Sequence, residues 1–240
     1  MKSIFTLFTA LFGSIAAIST SMLAVDASAT DRGVKAPAFV TLNAIPVCFD
    51  FGCKNSAVVD LPVDQWSEVT GWFSPKAATP EEERQQIRQA IGWMEVLIGR
   101  HTPTHKDLAF DLPRNDEDVS HLFPGQQDCI DEAVNTTTYL RLFEQSGLLS
   151  HHTVIEQAYR KAIFDQHWAG QIRELVTGER WVVDSWFQPN GYLPFVQAAE
   201  EWEDISLLTA VVHEDPNVKQ EKKSIWRRLF KRNASEPDKE

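Results

Sequence analysis

The spacing of apolar side chains predicts a helix that follows Thr79. The apolar positions recur at helical intervals, at Ile87, Ala90, Ile91, Met94, Leu97 and Ile98. Thr79 or Ser74 is a suitable N-cap, Pro80 suits the first turn, and Gly99 suits the end of the helix. Glu95 lies beside the apolar stripe, and we expect it on a solvent-exposed flank.

A second helix is predicted from about Cys129 to Phe143. Asp128 is a suitable N-cap, and Asp131, three residues farther on, comes close to a capping-box pattern. The apolar face of this segment is incomplete, and Gly147 is a natural end. The predicted helix therefore begins at a cysteine.

Strand-like segments follow this helix. They are residues 153–164, 167–175 and 181–187. Residues 194–202 predict a short helix that packs on the sheet. The pattern predicts an α+β fold in which the Cys129 helix packs on a small antiparallel sheet.

The last two strands are expected to form an antiparallel hairpin around Thr177-Gly178-Glu179. In a simple hairpin with this turn, Asp184 pairs with Gln171 and not with His167. Twist, a bulge or a longer loop would be needed to bring Asp184 and His167 together.

The first residues have the pattern of a secretory signal. A short basic start precedes an almost wholly apolar or small run from Ile4 to Ile18, and Ala27-Ser28-Ala29 is a processing site. We therefore expect residues 1–29 to be a signal peptide cleaved before Thr30, and the protein to be periplasmic or secreted. The alternative is an uncleaved anchor, because Ile4 to Ala24 is just long enough to span a bilayer.

Residues 30–78 lack helical periodicity and contain two of the three cysteines. In an oxidising compartment, Cys48 and Cys53 are expected to form a local disulfide. A metal site is disfavoured because no second Cys/His pair with ligand spacing lies nearby, and a redox motif would require the shorter C-x-x-C spacing. The segment is interpreted as structural, and no metal or cofactor is predicted.

Charge is distributed unevenly along the chain, whose formal net charge is -11. Residues 30–218 hold 29 Asp and Glu against 14 Lys and Arg. Because phosphate binding requires a basic surface, we predict no nucleic-acid partner.

Residues 214–240 form a charged tail that is predicted to be disordered. Within it, residues 222–232 fit a short basic amphipathic helix with Ile225, Trp226, Leu229 and Phe230 on one face, as in peripheral membrane binders. The alternatives are a solvated tail and a contact with the acidic body of the chain.

Cys129 is the third, odd cysteine of a chain predicted to be exported. Its place at a helix N-terminus favours the thiolate, the nucleophilic form of a cysteine. His167 would take the thiol proton and deliver it to the leaving group, and Asp184 would accept the other imidazole N–H. The Cys129 backbone N–H would face the developing oxyanion, with Gln126 or Gln127 as a second donor.

Two features oppose this interpretation. Asp128, Asp131 and Glu132 place negative charge around the thiol, which disfavours the thiolate unless these groups point away. Each residue also has a structural alternative, since a cysteine at a helix start is often merely buried and His167 could be a core histidine.

The sequence Asp-Cys-x-Asp-Glu-Ala at a helix start, then a histidine on a strand and Val-Val-Asp at the end of the next, resembles the transglutaminase-like superfamily. Within that superfamily it is similar to the bacterial transglutaminase-like cysteine proteinases. The resemblance covers about residues 80–200. It implies a papain-like α+β core with Cys129 as nucleophile, His167 as base and Asp184 as orienting acid.

The chain departs from the family pattern at three places. Family members often read Asp-Cys-Glu-Asp, with acids linked to calcium in some of them; here Ile130 replaces the glutamate, so calcium is not expected. Ser185-Trp186 follows the aspartate where Asp-Asn is frequent in the family. The segment with Cys48 and Cys53 is an elaboration outside the family core.

The expected function is acyl transfer through a Cys129 thioester, ending in hydrolysis of a peptide or isopeptide bond in a peptide or protein substrate. The catalytic domain is expected at residues 79–213. Transfer to an amine and cleavage of a cell-wall peptide are variants of this chemistry. The competing hypothesis is a non-catalytic cell-envelope protein that retains the scaffold and binds a partner.

Overall fold

The computed structural model describes residues 34–109, 124–162 and 165–204, with the side chains of 162 and 165 left out. The predicted signal peptide at 1–29 and the predicted tail at 214–240 lie outside the described residues. Among those that are described, none of the helices combines the length and apolarity that crossing a membrane requires.

The described residues form a mixed structure of helices and antiparallel strands, which confirms the α+β prediction. The helices are α1 (Val63–Thr70), α2 (Pro80–Ile98), α3 (Cys129–Gln145) and α4 (Ala199–Asp204). The strands are β1 (Ile45–Phe49), β2 (Asn55–Val59), β3 (His152–Val154), β4 (Ala158–Ala162), β5 (Asp165–Glu174), β6 (Arg180–Asp184) and β7 (Phe195–Ala198).

The predicted helix after Thr79 is confirmed as α2. The Thr79 side chain accepts a hydrogen bond from the Glu82 backbone N–H over 3.2 Å, and Pro80 occupies the first turn. The apolar stripe of α2 is buried, because one face of an amphipathic helix must be removed from water. α1, by contrast, was not among the predicted elements.

The central element is α3, whose first residue is Cys129. Asp128 and Asp131 form the capping box that the sequence predicts, which satisfies backbone N–H groups at the start of the helix. Gly147, with a φ of 68°, follows the end of α3 in the left-handed region that favours glycine. The helix therefore begins and ends where its cap signals lie.

Two antiparallel sheets accompany the helices. β1 pairs with β2, and the larger sheet has the order β3-β5-β6-β7, with β4 also paired to β5. The prediction of one strand over 153–164 is wrong, because β3 and β4 pair with different parts of β5. The helix predicted over 194–202 is also partly wrong, since β7 pairs with β6 before α4 begins.

One hydrophobic core joins the N-terminal segment to the rest of the described structure. Its fully buried members include Ile45 from β1, Ile91 from α2, Phe143 from α3 and Ile172 from β5. Burial of this apolar surface is the main force that holds α2 and α3 against the sheet. Residues 34–78 therefore pack as part of the same body as the strands and helices that follow.

The Cys48–Cys53 disulfide is present, as predicted, and closes the loop between β1 and β2. Both sulfurs and the Asp131 carboxylate lie within 4.8 Å of one another. The sulfurs are joined to each other, and both carboxylate oxygens of Asp131 accept backbone N–H groups. The structural interpretation of this cysteine pair accounts for all three groups.

Candidate functional site

The structure brings His167 and Asp184 into direct contact. His167 lies on β5 and Asp184 is the last residue of β6. His167 Nε2 is 2.7 Å from Asp184 Oδ2, and each side chain is only 1% exposed. Buried partners at this distance hold the imidazole in one orientation.

The register of the β5–β6 hairpin explains this contact and corrects the predicted one. Gln171 pairs with Val182, not with Asp184, because the connection is longer than the assumed tight turn. The same register continued by one step places Asp184 opposite Ala169. His167 is two residues from Ala169 on the same face of β5, so Asp184 and His167 are diagonal neighbours across the two strands.

Cys129 approaches the strand that carries His167. It is half-buried, and its thiol donates to the Gln166 carbonyl with a sulfur–oxygen distance of 3.9 Å. Gln166 is the residue directly before His167. The start of α3 therefore contacts the beginning of β5 at the residue before His167.

Gly170 allows α3 to lie close to β5. A Cβ atom at this position would lie 2.8 Å from Thr136 Cγ2, which is closer than real Cβ contacts. Thr136 is one of the buried residues of α3. The missing side chain at Gly170 thus contributes to the approach of the Cys129 helix to the His167 strand.

Two of the acidic neighbours of Cys129, Asp128 and Asp131, accept hydrogen bonds from backbone N–H groups. Asp128 Oδ1 accepts the N–H groups of Ile130 and Asp131, each at 3.0 Å. Asp131 accepts from Phe51 at 2.8 Å and from Cys53 at 2.6 Å. Burial, together with the nearby Asp128 carboxylate, raises the pKa of Asp131 to about 8 against the effect of these N–H donors.

Glu132, the third acidic neighbour, is buried beneath the site. Its Oε1 accepts from Gln127 Nε2 over 2.9 Å. Burial and the nearby carboxyl groups of Glu95 and Asp107 raise the pKa of Glu132 well above its ordinary value. A protonated Glu132 carries no charge, so it does not oppose a thiolate at Cys129.

Glu95 is not on a solvent-exposed flank as predicted, since its side chain is only 5% exposed. Its Oε2 accepts from the Gly191 backbone N–H over 2.8 Å, and its main-chain oxygen accepts from Asn190 Nδ2 over 3.3 Å. Burial raises the pKa of Glu95 to about 7. The prediction failed because α2 is covered on this side by the segment after β6, a contact that helical periodicity does not report.

The side chains of Gln126 and Gln127 are hydrogen-bonded within the segment that leads to Cys129. Gln126 Nε2 donates to the Lys106 carbonyl over 2.6 Å, and Gln127 Nε2 donates to Glu132. Gln127 Oε1 also accepts from Asn135 Nδ2 over 2.5 Å. These side chains fix the segment before Cys129, and a glutamine as the second oxyanion donor stays a prediction.

Trp202 is a site residue that sequence reasoning missed. Its Nε1 donates to Asp184 Oδ2 over 2.8 Å, and its carbonyl accepts from Arg160 Nη1, also at 2.8 Å. The Arg160 guanidinium lies 4.6 Å from the centre of the Trp202 ring. No local pattern marks Trp202, because its function depends on a contact with a residue 18 positions earlier.

Three aromatic rings pack against the His167 imidazole. Trp186, Phe187 and Trp202 have ring centres 4.8, 5.2 and 5.5 Å from it. These apolar surfaces shield the hydrogen bond between His167 and Asp184 from water, which strengthens it. Trp186 and Phe187 follow Asp184 within three residues, so their nearness in the sequence is a signal that could have identified them.

Comparison of the chain with protein-family models, with curated proteins and with solved structures finds no match in any of the three.

Proposed function

We propose that the protein is an exported thiol hydrolase or acyl transferase of transglutaminase-like type, with a papain-like core. The observation that carries the proposal is the buried His167–Asp184 pair next to the strand position that Cys129 contacts. A cysteine at a helix start, a histidine and an orienting carboxylate are the groups that acyl transfer requires. The substrate is a peptide or protein with a peptide or isopeptide bond.

The first half of the reaction forms a thioester. Asp184 holds His167 through Nε2, so Nδ1 is the nitrogen that takes the proton from the Cys129 thiol. The thiolate attacks the carbonyl carbon, a C–S bond forms, and the oxyanion faces the Cys129 backbone N–H. The C–N bond then breaks, and the leaving amine takes the proton from His167.

The second half regenerates the thiol. Water gives a proton to His167 as its oxygen attacks the thioester carbonyl, the C–S bond breaks, and Cys129 recovers its proton. The products are a carboxylic acid and the free enzyme. An amine in place of water gives the transferase variant, in which the same proton passes through His167.

The disulfide supports the proposed export, since such bonds persist in oxidising compartments. The packing of α3 against an antiparallel sheet supports the proposed core, because it places the helix start beside a strand as the triad requires. The burial of Asp131 and Glu132 supports the proposed nucleophile, because their raised pKa values reduce negative charge near the thiol.

Acylation with p-nitrophenyl acetate tests the proposal. We expect a burst of nitrophenolate of one equivalent per protein and an acetyl thioester located at Cys129 by mass spectrometry. Cys129→Ala abolishes the burst, and His167→Ala slows it by about a hundredfold, the usual contribution of a general base. A folded protein that stays unacylated would instead favour the non-catalytic binding protein.

A further inference from the structure

The disulfide loop, residues Cys48 to Cys53, has an unusual backbone. Asp50, Phe51 and Cys53 have φ values of 67°, 67° and 57°, and Gly52 between them has 69°. Three side-chain-bearing residues in the left-handed region are disfavoured and persist only where their surroundings hold them. Because such backbone is concentrated at functional sites, the contacts of this loop bear on what it does.

The loop is bonded to the first turns of α3. Asp131 accepts the N–H groups of Phe51 and Cys53, and the left-handed backbone is what aims both of them at one carboxylate. One turn later, Asn135 Oδ1 accepts from Cys48 N and Asn135 Nδ2 donates to Cys48 O, each over 2.8 Å. Two side chains of α3 thus grip the loop at both of its cysteines.

The loop is also bonded to the residues that lead into Cys129. The Asp50 N–H donates to the Gln126 carbonyl over 2.8 Å, and Asp50 Oδ1 accepts from Gly125 N over 2.6 Å. Asp50 is buried, and its other oxygen accepts from Asn55 Nδ2 over 2.7 Å. Contacts therefore reach the chain on both sides of Cys129.

We propose that the disulfide loop is a clamp that positions Cys129 and keeps its thiol reactive by holding the Asp131 carboxylate away from the sulfur. The inference rests on the proposed function, because it concerns the reactivity of the same cysteine. The loop acts as a positioning element, through the residues on either side of Cys129. This positioning role gives a function to Cys48 and Cys53, which take no part in the proposed chemistry.

The charged and titratable groups around the start of α3 are held in different ways. They are Asp128, Asp131 and Glu132 on α3, Glu95 on α2, Asp107 before the start of α3, His167 on β5 and Asp184 on β6. Asp131 is bonded directly to both Phe51 and Cys53 of the disulfide loop, since it accepts both of their N–H groups. Opening the loop therefore removes two of the three backbone N–H donors that Asp131, two residues from Cys129, has among the described residues. It also exposes this carboxylate to water, and the loss of the burial that raises its pKa favours the ionised form.

The test is the pH profile of Cys129 alkylation by iodoacetamide in the variant Cys48→Ser/Cys53→Ser. We expect the midpoint of the profile to rise by at least about one pH unit and the rate at pH 7 to fall about tenfold. Asn135→Ala keeps the disulfide and removes the two hydrogen bonds between the Asn135 side chain and Cys48. We expect it to shift the midpoint in the same direction. Asn135→Ala still tests the proposal if the Cys48→Ser/Cys53→Ser variant does not fold.

Rescue separates positioning from simple loss of stability. Adding Asp131→Asn to the double variant removes the released charge, and we expect the midpoint to return toward that of the native protein. Glu83→Gln is the matched control: it weakens buried bonds to His151 and His152 far from the clamp, so it lowers the melting temperature and leaves the profile unchanged.

The outcomes are distinct. If Cys129 is alkylated fast in the native protein and the Cys48→Ser/Cys53→Ser variant has the same pH profile, the clamp is overturned and the proposed function is not. A midpoint that rises and is not restored by Asp131→Asn also overturns it, because the charge is then not the cause. A native protein whose Cys129 reacts no faster than in denaturant overturns the proposed function, and the clamp with it.

Discussion

The indole N–H of Trp202 and the imidazole of His167 share one oxygen atom, Asp184 Oδ2, at distances of 2.8 and 2.7 Å. The second carboxylate oxygen, Oδ1, is buried without a hydrogen-bond partner among the described residues. The orientation of Asp184 therefore depends on Trp202 as well as on His167. Helix α4 is part of the site through Trp202.

Trp202→Phe tests that dependence. The ring that packs on His167 remains, and only the N–H donor is lost. We expect Cys129 alkylation at neutral pH to slow by about three- to tenfold, the effect of losing one typical hydrogen bond. Trp181→Phe is the matched control, because the Trp181 N–H is buried without a partner among the described residues. Equal rates in the two variants would contradict the assignment of Trp202.

Gly170→Ala tests the close approach of α3 and β5. The new Cβ would meet Thr136 Cγ2 at 2.8 Å, so the helix must move or the strand must shift. We expect a loss of about 1–3 kcal/mol in the free energy of unfolding, typical of overpacking, and slower acylation of Cys129. Urea denaturation and the nitrophenolate burst measure the two effects.

Gly71→Ala is the control for this substitution. Gly71 has a φ of -58°, and a Cβ atom at that position would have nothing within 4 Å. We expect no loss of stability and no change in the burst. A Gly170→Ala protein as stable and as active as Gly71→Ala would show that the approach at Thr136 is not limiting.

The buried acids make stability depend on pH. Burial raises the pKa of Glu95 to about 7 and, with Asp128, that of Asp131 to about 8. Between their ordinary values and these raised ones, the folded protein binds more protons than the unfolded chain. The free energy of unfolding therefore falls as pH rises through that window. We expect calorimetry to give a melting temperature lower at pH 8 than at pH 5 by about 5 °C or more.

Glu95→Gln isolates one of these groups. The amide oxygen still accepts from Gly191, and the ionisable proton is gone. We expect the melting temperature to fall less steeply between pH 5 and pH 8. In the control Glu83→Gln the steep fall remains. Burial acts to raise the pKa of Glu83, but hydrogen bonds from His152 and from the backbone outweigh it and lower that pKa, so Glu83 titrates below this window. An unchanged slope in Glu95→Gln would contradict a raised pKa at that residue.

Local signals predicted the elements that carry the site. Thr79, Asp128 and Gly147 marked helix ends through caps that depend only on neighbouring residues. The chemistry of an odd cysteine, a histidine and an aspartate, together with their order along the chain, points to Cys129, His167 and Asp184. The structure places Cys129 at a helix start and joins His167 to Asp184.

Long-range contacts could not be predicted in the same way. The hairpin register depended on the length of its connection, which a turn sequence alone does not determine. Three hydrogen bonds of the site join segments that lie 18 to 96 residues apart. They are the bonds from Trp202 to Asp184, from Phe51 to Asp131 and from Gly191 to Glu95. Each of these polar groups is buried because another element covers it, and periodicity describes only one element at a time.

The pH dependence of Cys129 alkylation in the native protein and in His167→Ala tests the central claim most directly. The account predicts that native Cys129 reacts as a thiolate well below the pH expected for an ordinary thiol, whose pKa is about 8.5. In His167→Ala the midpoint should move up toward that ordinary value, with the fold retained. Two superimposable profiles, both with the midpoint of an ordinary thiol, would contradict a Cys129–His167 couple and with it the proposed enzyme.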